Sequence, residues 1–309
     1  MKNFLKKLWK NKAWLLMVLP GTLWLLVFSY LPMFGTVLAF KDFKISPGGF
    51  IQSLINSEWV GLKNFEFLFT SGDAFRITRN TVMYNLVFII LGLVFAVFVA
   101  IILSEISNKR LGKIYQTSML FPHFLSWVIV SYFVFSFLSF DKGMLNSVLG
   151  AFGVEPVSWY SEPKHWPFIL VFMNVWKGVG YGSIVYLAAI VGIDRTYFEA
   201  ARIDGASKWQ QIKNITIPLL IPLMIVLTIM AIGGIFRSDF GLFYQIPRNS
   251  AVLYPVTDVI DTYIYKGLMN MGNIGMSTAA GLYQSIVGFI LIMATNFAVK
   301  KVDPEYGLF

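Results

Sequence analysis

Four residues with polar or absent side chains recur at helical spacing within an otherwise apolar stretch. They are Asn174, Lys177, Gly178 and Tyr181, at positions i, i+3, i+4 and i+7, so a helix would place them on one face. The amide, the cation and the phenol could bond the hydroxyl groups of a sugar and cover its apolar face, and the glycine, which has no side chain, would leave room for it. Helix packing is the alternative, with Gly178 and Gly182 allowing close contact and Lys177 paired to a carboxylate.

Two more residues are candidates for the same solute-binding surface. Trp127 follows His123 and Ser126 in a second apolar stretch, where the three side chains could line a shared cavity or simply pack. Ser238 follows a third apolar stretch and lies next to charged residues, a position that also suits anchoring at a membrane interface. We therefore predict Trp127 and Ser238 as binding residues and retain packing and anchoring as alternatives.

Residues for catalysis or metal binding are scarce. The chain has no cysteine, and its two histidines, His123 and His165, are far apart in the sequence. No nucleophile with a nearby base and no second metal ligand stands at a suggestive spacing. We predict no catalytic residue, no metal site and no enzyme activity in this chain.

The composition indicates a membrane protein. Hydrophobic residues make up 57% and charged residues 13% of 309 residues, against roughly 45–50% and about 25% in soluble domains. Six apolar stretches are long enough to cross a bilayer as helices, at about 13–40, 81–104, 115–140, 168–192, 215–236 and 278–299. The sequence thus predicts an all-α polytopic fold in a single transmembrane domain, 1–309.

The distribution of charge predicts the orientation of the spans. Lysine and arginine are densest in the N-terminal segment and in alternate connections, which places those segments and both termini in the cytoplasm. The basic residues that give the net charge of +9 then lie beside the spans, next to lipid, and do not form a patch on a soluble face. We therefore expect no nucleic-acid partner. The three longer connections, 41–80, 141–167 and 237–277, lie outside, where they either bind an external partner or only join the spans.

The cytoplasmic connection at 194–214 carries the most local structure. Thr196 and Glu199 have the spacing of a capping box, which predicts a short helix beginning there. Gly205 can end that helix by adopting positive φ. Ser207 and Gln210 have the spacing of a second capping box, and the helix that they begin continues into the fifth span.

The short helix of this connection could bind another protein. Ala200 and Ala201 are small enough to allow close approach, and Glu199, Arg202 and Asp204 offer charges that could register a partner. An ordinary capped loop at the membrane surface is the alternative.

The same segment resembles the EAA loop of binding-protein-dependent ABC permeases. In that family the loop forms a coupling helix that docks on an ATP-hydrolysing subunit and passes its motion to the spans. The resemblance thus assigns ATPase coupling to Glu199, Ala200, Ala201, Arg202, Asp204 and Gly205. It rests on Glu199-Ala200-Ala201, on Asp204-Gly205-Ala206, and on Ile215, Pro218 and Pro222.

Weaker similarities extend over nearly the whole chain. The segments LPGTLWLLVFSYLPMFG, VGLKNFEFLF and DPEYGLF resemble the maltose-type carbohydrate importers, especially the branch for oligosaccharides and polysaccharide fragments. This implies a permease subunit of the bacterial inner membrane that receives a carbohydrate from an extracytoplasmic solute-binding protein. The chain lacks the extra N-terminal helices and the large outer domain of some maltose permeases, so details of docking do not carry over.

The phosphate-binding loop G-x-x-x-x-G-K-[ST] is absent from the sequence. The resemblance therefore implies that ATP and Mg²⁺ bind two partner ATPase subunits, that this chain holds no cofactor, and that a second permease subunit, usually a different chain, completes the complex. An ion-coupled secondary transporter of a small polar solute is the alternative function. It would need carboxylates within the membrane as relays, and the predicted spans contain almost none.

Overall fold

The computed structural model describes residues 10–70 and 72–302. Five helical runs in this part of the chain are long and apolar enough to cross a membrane, and a bent helix pair could form a sixth span. The predicted all-α membrane fold is confirmed. The five runs are Lys12–Phe40, Gly72–Ser104, Pro163–Val191, Lys208–Gly233 and Ile274–Lys301. The C-terminal motif DPEYGLF and the first basic residues lie outside the described residues.

The regular elements are numbered here in chain order. The helices are α1 (Lys12–Leu25), α2 (Gly49–Asn56), α3 (Phe67–Thr70), α4 (Gly72–Ser104), α5 (Lys109–Phe124), α6 (Trp127–Leu138), α7 (Met144–Ala151), α8 (Trp166–Val191), α9 (Arg195–Ile203), α10 (Lys208–Gln211), α11 (Ile217–Gly233), α12 (Phe240–Gln245), α13 (Tyr254–Thr257), α14 (Ile260–Met269) and α15 (Ile274–Val302). Two short strands, β1 (Lys41–Asp42) and β2 (Glu58–Trp59), pair antiparallel.

The chain folds as two compact units. One comprises Met1–Thr70 with Ile264–Tyr283, and the other Ser71–Tyr263 with Gln284–Phe309. In the first unit α1 continues through a π-helical turn, Leu26–Tyr30, into a 3₁₀ stretch that ends at Phe40. That all 309 residues form one membrane domain stays a prediction.

The connection between the first and second spans is closed by a buried lysine. The Nζ atom of Lys41 donates hydrogen bonds to the carbonyl oxygens of Leu54, at 2.6 Å, and Ser57, at 3.2 Å, and lies over the Trp59 ring. These bonds join β1 to the end of α2 and satisfy a cation that is only 6% exposed. Much of the connection is therefore an ordered module.

The helix of the second span begins earlier than the sequence predicts. The apolar pattern places its start at residue 81, whereas α4 starts at Gly72. The added turns are polar, so hydropathy misses them, but Asp73 and Arg76 pair within the helix at 2.8 Å. The extension is thus held by charge pairing and by the contact of Asn80 with the carbonyl oxygen of Asp258 at 2.9 Å.

The predicted third span, 115–140, is not one continuous helix. Helices α5 and α6 are separated by Leu125 and Ser126 and bend by 96° at this break. Ser126 caps α6 by accepting the amide N–H of Ile129 at 3.3 Å, a bond that favours a new helix start over continuation of α5. The span is therefore a broken helix.

Helix α8 lies at the centre of the second unit, against α4, α5 and α11. Its contact with α5 is very close, because a Cβ atom on Gly180 would lie 1.9 Å from the carbonyl oxygen of Met119. On the side of α4, a Cβ on Gly182 would lie 3.3 Å from that of Ala96. Toward its N-terminus, Trp166 and Leu170 are fully buried in the main hydrophobic core. These contacts fix the helix that carries the polar stripe.

Candidate functional site

Helices α4, α8 and α11 line an open cavity of about 470 Å³ in the second unit. Three of the predicted binding residues, Asn174, Gly178 and Tyr181, line it from α8. Asn85 of α4 and Thr228 of α11 add polar groups, and most of the remaining lining is apolar. The cavity thus combines a few polar groups with apolar surface, as small-molecule sites commonly do.

The amide of Asn174 is available to a ligand. It makes no hydrogen bond to any other described residue, and it is half-buried on the cavity wall. One turn further along, a Cβ on Gly178 would meet nothing within 4 Å. Among the described residues, Gly178 therefore packs against no other helix and opens the cavity, while Gly180 makes the close helix contact.

Lys177 points away from this cavity, toward the break between α5 and α6. Its Nζ atom donates to the carbonyl oxygen of His123 at 3.0 Å and lies 5.0 Å from the centre of the Trp127 ring. The alternative that Lys177 pairs with a carboxylate is wrong within the described residues. The ammonium instead caps a free carbonyl at the end of α5.

Tyr181 joins the cavity to the same break. Its ring stacks on that of His123, with centres 4.4 Å apart and planes inclined by 8°. Tyr181 and Lys177 therefore both contact His123, one through its ring and the other through its carbonyl oxygen.

Trp127 is fixed by the segment that follows α11. Its indole N–H donates to the Oδ2 atom of Asp239 at 2.6 Å, and Asp239 also caps α12 by accepting the amide N–H groups of Gly241 and Leu242. A Cβ on Gly241 would lie 2.2 Å from the indole ring, so only glycine allows this approach. The bond to Asp239 and the contact with Gly241 thus hold the Trp127 ring in the position where its face lies against Lys177.

Ser238 belongs to a second polar group beside the cavity. Its hydroxyl oxygen accepts a bond from Asn85 at 3.2 Å, and its amide N–H donates to Asp261 at 2.7 Å. Gln284 bonds both Asp261 and the carbonyl oxygen of Phe236. Burial raises the pKa of the Asp261 carboxyl, and these donors oppose that shift. Ser238 does not line the cavity itself and is linked to it by the hydrogen bond with Asn85.

The start of the short helix in the connection at 194–214 differs from the prediction. Helix α9 begins at Arg195, and its cap is Asp194, whose carboxylate accepts the amide N–H of Thr196 at 2.9 Å. This bond lowers the pKa of Asp194. The predicted capping box of Thr196 with Glu199 is therefore wrong, because the cap is a carboxylate two residues earlier, which accepts the amide N–H of Thr196 itself.

The end of α9 follows the prediction. Gly205 has φ of +79°, and its amide N–H donates to the carbonyl oxygen of Arg202. The amide of Ala206 donates to the carbonyl oxygen of Ala201 at 2.8 Å, which completes a Schellman motif. The second predicted box is confirmed, with Ser207 and Gln210 bonded reciprocally.

The helix that starts at Lys208 is continuous with the fifth span. It runs to Gly233 as one helical stretch, with a π-helical turn at Ile212–Thr216 just before Pro218. The end of the loop at 194–214 and one wall of the cavity therefore belong to the same helical rod.

The surface of the loop is exposed and mixed in character. Tyr197 is 57%, Ile203 88% and Trp209 70% exposed, and most of the predicted coupling residues are exposed with them. Glu199 and Arg202 line a cleft of about 600 Å³ between α9 and the end of α4. Exposed apolar and charged groups side by side are typical of a protein interface.

Sequence reasoning missed several residues at these sites. Asn85 and Thr228 line the cavity, and Glu105 pairs with Lys208 at 2.6 Å across the cleft beside α9. An amide within an apolar span was a usable signal for Asn85, because buried polar groups need partners. The pairing of Glu105 with Lys208 joins positions far apart in the chain, so spacing gave no indication of it.

The broken span, the cavity between the spans and the capped loop at 194–214 are features expected of a membrane transport subunit. The family model for the binding-protein-dependent transport system inner membrane component matches residues 92–304. The chain belongs to this family.

Relatives and solved structures are similar over almost the whole chain. Protein LplB of Bacillus subtilis is 35% identical over 97% of this chain and 92% of its own length. The polygalacturonan/rhamnogalacturonan transport system permease protein YteP of the same organism is 34% identical over 98% and 92%. The crystal structure of a bacterial ABC transporter that imports the acidic polysaccharide alginate contains a chain with TM-score 0.87 and 31% identity, covering 97% of this chain and 99% of that one.

Proposed function

We propose that this chain translocates a carbohydrate, an oligosaccharide, as one membrane subunit of an ATP-driven importer. Membership of the transport family supports the general role. The carbohydrate assignment is supported by the names of YteP and of the alginate importer, and by a trehalose/maltose permease of Thermococcus litoralis that is 28% identical over 93% of this chain.

The observation that carries the proposal is the unpaired amide of Asn174 on the wall of the 470 Å³ cavity. An amide offers two donors and an acceptor, which suits sugar hydroxyls. Tyr181, 56% exposed, presents an aromatic face beside it, and Gly178 leaves room for a ring. Thr228 adds a hydroxyl from α11. The cavity thus offers hydrogen bonds from one side and flat apolar surface from the other.

The proposed partners follow from the cytoplasmic loop and from the outer connections. Two ATPase subunits, which bind ATP and Mg²⁺, dock on α9 and the turn at Gly205, where Ile203 and Trp209 are exposed. A second permease subunit completes the pathway. A solute-binding protein delivers the sugar outside, in agreement with the structural relative whose complex contains an alginate pentasaccharide-bound periplasmic protein. Both termini face the cytoplasm of a bacterium, in line with the charge pattern.

Substitution of Asn174 tests the role of the cavity. Asn174→Leu keeps the side-chain size but removes all bonds to hydroxyls, so we expect about tenfold slower uptake. Asn174→Gln keeps an amide and should retain part of the uptake. The assay measures transport into vesicles of an oligosaccharide selected by binding to the cognate external protein.

Two controls accompany this assay. Assembly with the ATPase and hydrolysis stimulated by the binding protein should be unchanged in both variants, because Asn174 bonds no described residue. Unimpaired uptake by Asn174→Leu would refute sugar binding by the polar stripe of α8 and favour helix packing as its role.

A further inference from the structure

Lys177 is a cation near the middle of α8 with unused bonding capacity. An ammonium group has three N–H donors, and the described residues provide one acceptor, the carbonyl oxygen of His123 at 3.0 Å. A carbonyl carries no net charge, so this bond leaves the positive charge of Lys177 unbalanced. Ionised groups within a membrane span are costly and commonly mark a substrate pathway.

The carboxylates on neighbouring elements are already engaged elsewhere. Asp239 accepts three N–H bonds, from Trp127, Gly241 and Leu242, and is beyond ion-pair distance of Lys177. Asp261 accepts bonds from Ser238 and Gln284. Among the described residues, no carboxylate is therefore placed to neutralise Lys177.

Lys177 does not line the cavity itself but projects from α8 between two residues that do. Asn174 and Tyr181, one turn before and after it on α8, line the cavity. The ammonium lies over the Trp127 ring, a flat surface of the kind on which sugar rings stack. The irregular backbone at Leu125 and Ser126 beside it is tolerated at membrane depth only where protein or a water-filled cavity surrounds it.

We infer that Lys177 recognises the carboxylate of an acidic saccharide, so that the solute carried through this subunit contains uronic acid residues. This inference rests on the proposed function. The Lys177 ammonium donates a hydrogen bond to a carboxylate oxygen of the saccharide, either in place of its bond to the His123 carbonyl or in addition to it. Asn174 and Tyr181 contact the hydroxyl groups and the ring of the sugar. Lys177 thereby determines specificity between acidic and neutral chains of similar length.

A comparison of charged and uncharged probes tests the inference. The complete importer, with its ATPase and binding protein, is reconstituted in vesicles, and uptake is measured for a galacturonate trisaccharide and for its carboxyl-reduced galactose counterpart. Each variant's rate is divided by the wild-type rate with the same probe, so the selectivity of the binding protein cancels. The variants are Lys177→Met, which removes the charge at similar length, and Lys177→Arg, which keeps it.

We expect Lys177→Met to lower relative uptake of the acidic probe about tenfold, the loss of one charge-assisted bond, and to leave the neutral probe within about twofold. Lys177→Arg should keep most of the acidic uptake. An equal loss for both probes would overturn the inference, because it would show that Lys177 only caps α5 or pairs with a second permease subunit. Unchanged uptake of the acidic probe would overturn it as well.

The wild-type rates separate this inference from the proposed function. Transport of the neutral probe alone would refute acidic specificity while leaving carbohydrate import intact. Transport of neither probe, nor of any saccharide bound by the external protein, would refute both. If only the acidic probe is carried, Lys177→Arg decides the matter: retained uptake supports the inference, and a loss as large as in Lys177→Met overturns it.

Discussion

Two glycines on one helix, Gly178 and Gly180, should respond oppositely to the same substitution. A methyl group at position 180 would lie 1.9 Å from the carbonyl oxygen of Met119, whereas ordinary contacts begin at 3.4 Å. The obstacle is backbone, so α5 and α8 would have to separate by about 1.5 Å, which costs about 1–3 kcal/mol when a packed interior is overfilled. A methyl group at position 178 would meet nothing within 4 Å.

The pair is a matched comparison because helix propensity favours alanine over glycine at both sites by about 1 kcal/mol. That gain cancels when the variants are compared, so their difference of about 1–3 kcal/mol isolates the helix contact. We expect Gly180→Ala to unfold at a lower temperature than the wild type, and Gly178→Ala at an equal or higher one. Thermal unfolding of the purified protein in detergent, followed by tryptophan fluorescence, measures this order.

A transport assay adds an independent readout to the same pair. Gly178→Ala narrows the cavity and should slow uptake while the protein remains stable, whereas Gly180→Ala should lose stability first. Equal melting temperatures for the two variants would refute the close contact of α5 with α8, and with it the assignment of Gly178 to the cavity and Gly180 to packing.

Three further predictions concern the loop, a buried carboxyl group and the orientation. Gly205→Val should loosen binding of the ATPase, because valine tolerates φ of +79° poorly. Glu199→Ala should keep the complex and lower the sugar uptake per ATP hydrolysed. Normal pull-down yield and normal uptake in both variants would refute coupling by this loop. Because burial raises the folded-state pKa of Asp261, the contribution of this carboxyl group to stability is greatest at low pH and is lost as pH rises through that pKa. Asp261→Asn should therefore raise the melting temperature at neutral pH and flatten the dependence of the melting temperature on pH. A lower melting temperature at neutral pH would contradict this. Cysteine at Asn3 should be protected from impermeant thiol reagents in intact cells and cysteine at Ser161 labelled, and the reverse pattern would overturn the orientation.

The sequence predicted the loop more closely than the spans because local rules govern it. Ser207 and Gln210 interact within one helical turn, and Gly205 needs positive φ whatever surrounds it, so spacing was sufficient. The cap at Asp194 was missed because two residues close together could each have capped α9, and spacing alone favoured Thr196. Where two local solutions compete, the sequence does not choose between them.

Contacts between distant segments decided what spacing could not. The helical period correctly placed Asn174 and Gly178 on the face of one cavity, yet it could not show that Lys177 turns toward His123 or that Gly180 is the close-packed glycine. Both depend on α5, which ends more than fifty residues before α8 reaches them. The break at Leu125 was likewise hidden, because both halves of the broken span are apolar.

One helical run connects the two proposed sites. Ile212 and Thr216 line the cleft beside Glu199, while Thr228, twelve residues beyond Thr216, lines the cavity. At 1.5 Å per residue the two regions are about 18 Å apart along one rod. If the proposed ATPase moves the end of the rod that begins at Lys208, the Thr228 wall is displaced relative to Asn174 on α8, and the hydrogen bonds offered to a sugar change without any separate relay. The π-helical turn at Ile212–Thr216 is near that end of the rod, where a local change in winding would rotate the α11 wall of the cavity.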